Sequence, residues 1–103
     1  MIAVLCKMQG VRPVFVPQVM NWEALAGEGT SPWSPYVRDK DHKKIMEAYY
    51  RSMAKVAKEE GVDCVSEVRA APFERSDFVD SGHFSAQGTQ RLARILAKRL
   101  EKG

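Results

Sequence analysis

The chain has 103 residues, 45% of them hydrophobic, and its 16 Lys and Arg against 13 Asp and Glu give a formal net charge of +3. That length and apolar content predict one globular domain over residues 1–103 with a modest core, and exclude a disordered chain. Basic and acidic residues interleave without a basic block threaded by aromatics, which argues against nucleic-acid binding, and no apolar run is long enough to span a bilayer.

From Met1 to Gln9 the chain mixes apolar and polar residues without Pro or Gly and closes on Gly10, where a helix commonly stops. It reads as the last turns of a helix whose beginning is absent. The opening Met1 to Cys6 lacks a charged leader and a full apolar region, so no signal peptide is expected. Cys6 and Cys64 lie far apart in apolar segments without metal-type spacing. Buried free thiols in a reducing, cytoplasmic setting are expected. Val11 to Val16, Val-Arg-Pro-Val-Phe-Val, predicts a short buried strand stopped by Pro17, with Pro13 confined to an end where its missing N–H is not needed.

Gln18 to Arg38 scatters Asn21, Gly27, Gly29, Pro32 and Pro35 among Trp22, Trp33 and Tyr36. Asn21 to Gly27 predicts one or two helical turns and the remainder a loop. A loop of this length often serves as a lid or a substrate- or partner-binding surface, which would use Trp22, Trp33 and Tyr36. Alternatively, the two tryptophans pin the loop to the core.

Asp39 to Glu60 carries the strongest helical pattern. Ile45, Tyr49, Met53 and Val56, joined by Met46 and Ala57, form the predicted core face, with Asp39 or Asp41 as N-cap and Gly61 as stop. His42 beside Asp39 and Asp41 is not read as a metal site, because acidic residues at a helix start are explained by the dipole. Val62 to Val65 predicts a second buried strand, and Ser66 to Val79 a charged loop containing Pro72.

The loop leads into Phe78-Val79-Asp80-Ser81-Gly82-His83-Phe84-Ser85-Ala86-Gln87-Gly88. Asp, Ser and Gly make a turn, and Ser85 is the predicted N-cap of a helix running to about Glu101. That helix points Leu92, Ile95, Leu96 and Leu100 inward, while Lys98, Arg99 and Lys102 complement its negative end. Asp80 can reach back to one ring nitrogen of His83, fixing the tautomer and leaving the other nitrogen to act as a base. The bland alternative is that Asp80 caps the turn and His83 packs over the helix end.

Helix, strand, loop, helix, strand, loop, helix is the order of a parallel α/β layer with right-handed crossovers. Two strands are too few to serve three helices. The expectation is therefore a partial α/β unit whose sheet is completed by another copy of the chain or by another polypeptide.

The Phe78 to Gly88 block and the helix after it resemble the C-terminal Asp-x-x-His block of the SGNH (GDSL-type) hydrolases. Val14 to Pro17, Tyr50 to Ala57 and Glu60 to Val65 are similar to that family's last strand-helix units, so the resemblance covers nearly the whole chain, with only Asp80 to Gly88 specific. It implies a flavodoxin-like three-layer α/β/α hydrolase of esters, lipids or acylated sugars, working without metal or cofactor, with His83 as general base and Asp80 orienting it. The family's Gly-Asp-Ser nucleophile block and its oxyanion glycine and asparagine have no counterpart, so the chain looks like the C-terminal half of such an enzyme. Ser81 and Ser85 share the turn with His83 but lack an elbow or oxyanion hole. The leading expectation is a self-associating, non-catalytic binding or structural module with the Trp22 to Tyr36 loop as its contact surface; next comes one half of a split hydrolase needing a complementary N-terminal half, and last a minimal hydrolase with an unrecognised nucleophile.

Overall fold

The structure, a computed structural model, describes residues 2–101. Among the described residues are three α-helices: α1 (Ile2–Met8), α2 (His42–Glu60) and α3 (Ala86–Glu101). Met1 of the predicted first helix and Lys102 beyond the last lie outside the described residues.

The predicted parallel pairing forms, but over two residues per strand. β1 (Val14–Phe15) lies parallel to β4 (Asp63–Cys64), in the register Val14 to Asp63 and Phe15 to Cys64. Pro13 and Pro17 bracket β1, and without amide donors they limit how far the ladder can run. Beside the pair, the Arg12 guanidinium bonds the Asp63 carboxylate and holds its pKa below the ordinary range.

The Gln18 to Arg38 segment is more ordered than its composition predicts. Thr30–Ser31 (β2) and Ser34–Arg38 (β3) form an antiparallel pair, a second small sheet. Pro35 does not prevent this, because a two-stranded ribbon leaves outward N–H positions where proline is tolerated. Asn21 to Leu25 forms a turn rather than a helix, closed by the Ala24 N–H to Asn21 and the Leu25 N–H to Trp22. The architecture is thus mixed α/β, with one short parallel and one small antiparallel sheet.

α2 begins at His42, after a 3₁₀ turn over Asp39–Asp41. Asp41 stands at the N-cap position without a side-chain cap bond; its carboxylate takes Arg38 Nε at 2.9 Å instead, and Asp39 accepts from Ser31 Oγ at 2.8 Å. Gly61 ends the helix as predicted, at φ 65°, with its N–H on Ala57 and Lys58. Of the predicted face, Ala57 is buried and Met46 and Met53 are half-buried, whereas Ile45, Tyr49 and Val56 are exposed; His42 and Tyr50 are buried besides. The apolar face is broad, and its Ile45, Tyr49 and Val56 edge is left exposed.

Val65 and Val68 are fully buried, and Ala3, Met20, Leu25, Tyr50 and Ala57 are the other buried apolar residues among those described. In α3, Leu92, Ile95 and Leu96 are half-buried and Leu100 is exposed. α1 leaves Ile2, Leu5 and Met8 in solvent. The radius of gyration is 15.3 Å, with extents of 44 × 28 × 20 Å. A compact chain of this length would measure about 13 Å.

Candidate functional site

The site is the turn between Phe78 and Ser85, and it is built on a buried carboxylate that the sequence alone does not mark. A 3₁₀ turn over Arg75–Asp77 presents the Asp77 side chain, which has no solvent exposure. Its Oδ2 accepts the Glu74 N–H at 2.7 Å and its Oδ1 accepts Gln87 Nε2 at 2.8 Å. Arg91 Nε lies 2.9 Å from Oδ2 but off the hydrogen-bonding line, so that contact is one of charge with charge. The Glu74 amide, then Gln87 and Arg91, hold the Asp77 carboxyl below its ordinary pKa of 3.8 against the opposing effect of burial.

α3 is seated on this turn. Ser85 caps it as predicted: its Oγ accepts the Gly88 N–H at 3.2 Å and donates to the Ser76 carbonyl at 2.7 Å, while its own N–H bonds the Asp77 carbonyl at 2.8 Å. Gly88 is the point of closest approach. A Cβ there would overlap the Asp77 carbonyl oxygen and come within 2.7 Å of the Phe84 ring.

Phe78 and Phe84 then close the turn as an antiparallel bridge, with the Val79 N–H on the His83 carbonyl at 2.9 Å. Their rings stack 5.3 Å apart, with Phe73 5.3 Å from Phe84. The loop therefore stands on an aromatic base. Within it, Asp80 Oδ1 accepts the N–H of Gly82 at 2.8 Å and that of His83 at 2.7 Å. The same carboxylate faces His83 Nδ1, at 2.8 Å from Oδ2 and 3.0 Å from Oδ1.

Asp80 and His83, paired in the sequence reading, thus meet side chain to side chain. The Gly82 N–H, followed by the backbone and ring of His83, holds the Asp80 carboxyl below its usual pKa, so it is ionised near neutrality. Only an N–H can face a carboxylate, which assigns the neutral-ring proton to Nδ1 and leaves Nε2 as an acceptor. Nε2 has no protein partner among the described residues, and the His83 side chain is 72% exposed.

The two turn serines are engaged elsewhere. Ser81 is buried and its Oγ accepts Trp33 Nε1 at 3.1 Å, while Ser85 Oγ is the helix cap. Asn21 N–H adds a bond to the Ser81 carbonyl at 2.9 Å. The Trp22, Trp33 and Tyr36 set divides three ways. Trp33 ties the β2–β3 hairpin to Ser81 and covers the buried His42 ring, with centroids 5.0 Å apart. Trp22 lines a cleft of about 230 Å³ with Gln18, Lys43, Glu47, Tyr50 and Arg69, where the Arg69 guanidinium sits 4.1 Å over the Tyr50 ring. Tyr36 projects into solvent at 97% exposure.

Two further hollows continue from that cleft. One of about 510 Å³ passes Trp22, Arg69, Phe73 and Arg75, and one of about 220 Å³ is lined by Asn21, Arg75, Phe78, Asp80 and Ser81. Shared lining residues make the three neighbours, and the last of them lies beside Asp80. The sequence holds no periodic signal for them, because their walls come from four separate segments. Among the described residues, no group of three or more His, Cys, Asp and Glu converges to hold a metal, and no helix is long and apolar enough to cross a membrane. Chemically, the site offers an oriented, solvent-facing imidazole without an adjacent hydroxyl nucleophile. Comparison with protein-family models, curated proteins and solved structures returned no match.

Proposed function

We propose that this chain is the base-bearing portion of an SGNH-type, flavodoxin-like three-layer hydrolase architecture, and that on its own it is a self-associating module without ester-hydrolase turnover. The observation that carries the reading is the Asp80 carboxylate on His83 Nδ1 at 2.8 Å with Nε2 left open. This is the arrangement in which a histidine accepts a proton from a nucleophile. Ser81 and Ser85 are both committed, so the base has nothing within the turn to activate. The open apolar faces of α1 and α2 and the single-sided pairing of both β1 and β4 support completion of the layer by further polypeptide. The free Cys6 and Cys64 fit a reducing, cytoplasmic setting.

A second reading rests on the exposure of Nε2: a complementary segment carrying a Gly-Asp-Ser block and oxyanion donors would find an oriented base waiting. Short chromogenic esters test both readings. The chain alone is expected to give no turnover above buffer and no labelling by a fluorophosphonate. Turnover on adding such a segment, lost with His83→Ala, would establish the second reading; His83-dependent turnover by the chain alone would overturn the first.

A further inference from the structure

We propose that the cleft beside Tyr50 binds a free α-amino acid with a large apolar side chain, the ligand carboxylate on Arg69 and the ligand ammonium on Glu47. The proposal goes beyond the Asp80 and His83 reading and does not depend on it. Arg69 ends the 3₁₀ turn Ser66–Arg69, which the fully buried Val68 anchors. Its guanidinium lies 4.1 Å over the ring of the buried Tyr50, and the Tyr50 hydroxyl is itself held by donating to the Gln18 carbonyl. Stacking occupies the face of a guanidinium and leaves the N–H groups of its edge, in the fork that matches a carboxylate. Among the described residues, Arg69 has no hydrogen-bond or ion-pair partner on that edge.

The same cleft carries charge of both signs. Lys43 and Glu47 stand one turn apart on α2 and both line the cleft, yet neither has a hydrogen-bond or ion-pair partner in the chain among the described residues. Glu47 is half-buried, and the Tyr50 phenol senses it together with Arg69: burial raises the Tyr50 pKa most, the Arg69 charge opposes this and the Glu47 charge adds to it. A ligand that is only an anion would set its charge against Glu47, and one that is only a cation would face Arg69 and Lys43. An α-amino acid answers both, with its carboxylate and ammonium on adjoining atoms. Apart from Gln18, the rest of the lining is Val19, Met20 and Trp22, which suits hydrocarbon on the ligand and not a third charge. At about 230 Å³ the cleft has room for one small molecule, and the neighbouring hollow of about 510 Å³, which shares Val19, Met20 and Trp22, accommodates the end of a longer side chain.

Titration of the full chain with L-phenylalanine, followed by the nitrogen-15 indole resonance of Trp22, tests this. Trp33, whose indole N–H is held by Ser81, is the internal reference. A dissociation constant of about 1 mM is expected, the affinity that a ligand of about twelve non-hydrogen atoms supports. L-leucine should bind comparably, whereas 3-phenylpropionate, which lacks the ammonium, and phenylalanine amide, which lacks the carboxylate, should each bind about tenfold more weakly. Arg69→Gln should weaken L-phenylalanine about tenfold, Glu47→Gln about fivefold and Lys43→Gln about twofold, the last as an exposed charge. Arg69→Gln also removes packing on Tyr50, so Glu47→Gln and Lys43→Gln, with far-ultraviolet circular dichroism unchanged, keep the test independent of folding. A Trp22 resonance unmoved at about twentyfold the expected constant overturns the proposal. Binding of 3-phenylpropionate or of the amide as tight as that of L-phenylalanine overturns it too, as does an affinity indifferent to both Arg69→Gln and Glu47→Gln.

Discussion

The turn region from Glu74 to Gly88 and the helical region formed by α1 and the outer side of α2 are organised by opposite means. The first buries little hydrocarbon besides the stacked Phe78 and Phe84, yet its carboxylates and cap are well partnered: Asp77 has three partners, Asp80 three, and Ser85 both donates and accepts. The second is rich in apolar side chains but leaves Ile2, Leu5, Met8, Ile45 and Tyr49 uncovered. Directional bonds between near neighbours can be satisfied inside a short segment, whereas hydrocarbon requires a second surface. The dyad is thus shaped locally, while the uncovered hydrocarbon lies on the helices.

Breaking the turn region should have the largest consequences. Gly88→Ala places a methyl against the Asp77 carbonyl and the Phe84 ring, neither of which can yield without moving the turn, and is expected to destabilise the fold by about 3 kcal/mol. Urea unfolding measures this, and an unchanged midpoint would mean that α3 is not seated as described. Asp77→Asn comes next. A carboxyl whose pKa is lowered in the folded state stabilises it at pH above the unfolded value near 3.8, and that contribution disappears as pH falls through the folded value. Thermal unfolding should therefore weaken below about pH 4, with Asp77→Asn less stable at neutral pH and less sensitive to acid, although Asp63 and Asp80 retain the same sign of dependence.

Smaller effects sharpen the contrast. Trp33→Phe keeps the ring over His42 but removes the donor to Ser81 Oγ, and should cost about 1 kcal/mol in chemical denaturation. Asp80→Asn is expected to leave the unfolding midpoint nearly unchanged, since the group is exposed. Its effect should appear in nitrogen-15 spectra, where neutral His83 passes from one dominant tautomer to a mixture. A parent protein that already shows the mixture would contradict the 2.8 Å contact.

What was legible in the sequence was local. Asp80 and His83 are three residues apart, Ser85 caps the helix directly after it, and Gly61 ends α2 by its own backbone freedom. The β1–β4 pairing followed from strand composition and the right-handed crossover rule. The β2–β3 hairpin did not, because prolines and glycines that usually mark a loop are compatible with a short ribbon. Asp77 was hidden among the charged residues of 66–79. Its only sequence trace is Gln87 and Arg91, one helical turn apart and both able to reach the same carboxylate. On α2, periodicity placed Ile45, Tyr49, Met53 and Val56 on the core face, but the buried positions lie at His42, Tyr50 and Ala57, so the pattern found the face without fixing which edge of it is covered.

The bonds made by Asp80 have a last consequence. Two of its three partners are main-chain amides, those of Gly82 and His83, which any residue at position 83 other than proline would still supply. The loop is therefore a mount whose shape does not depend on the imidazole it carries. Other reactive side chains, a thiol or an amine, could be fitted at that position with the backbone kept, which makes this small chain a ready chassis for installing chemistry at a fixed point.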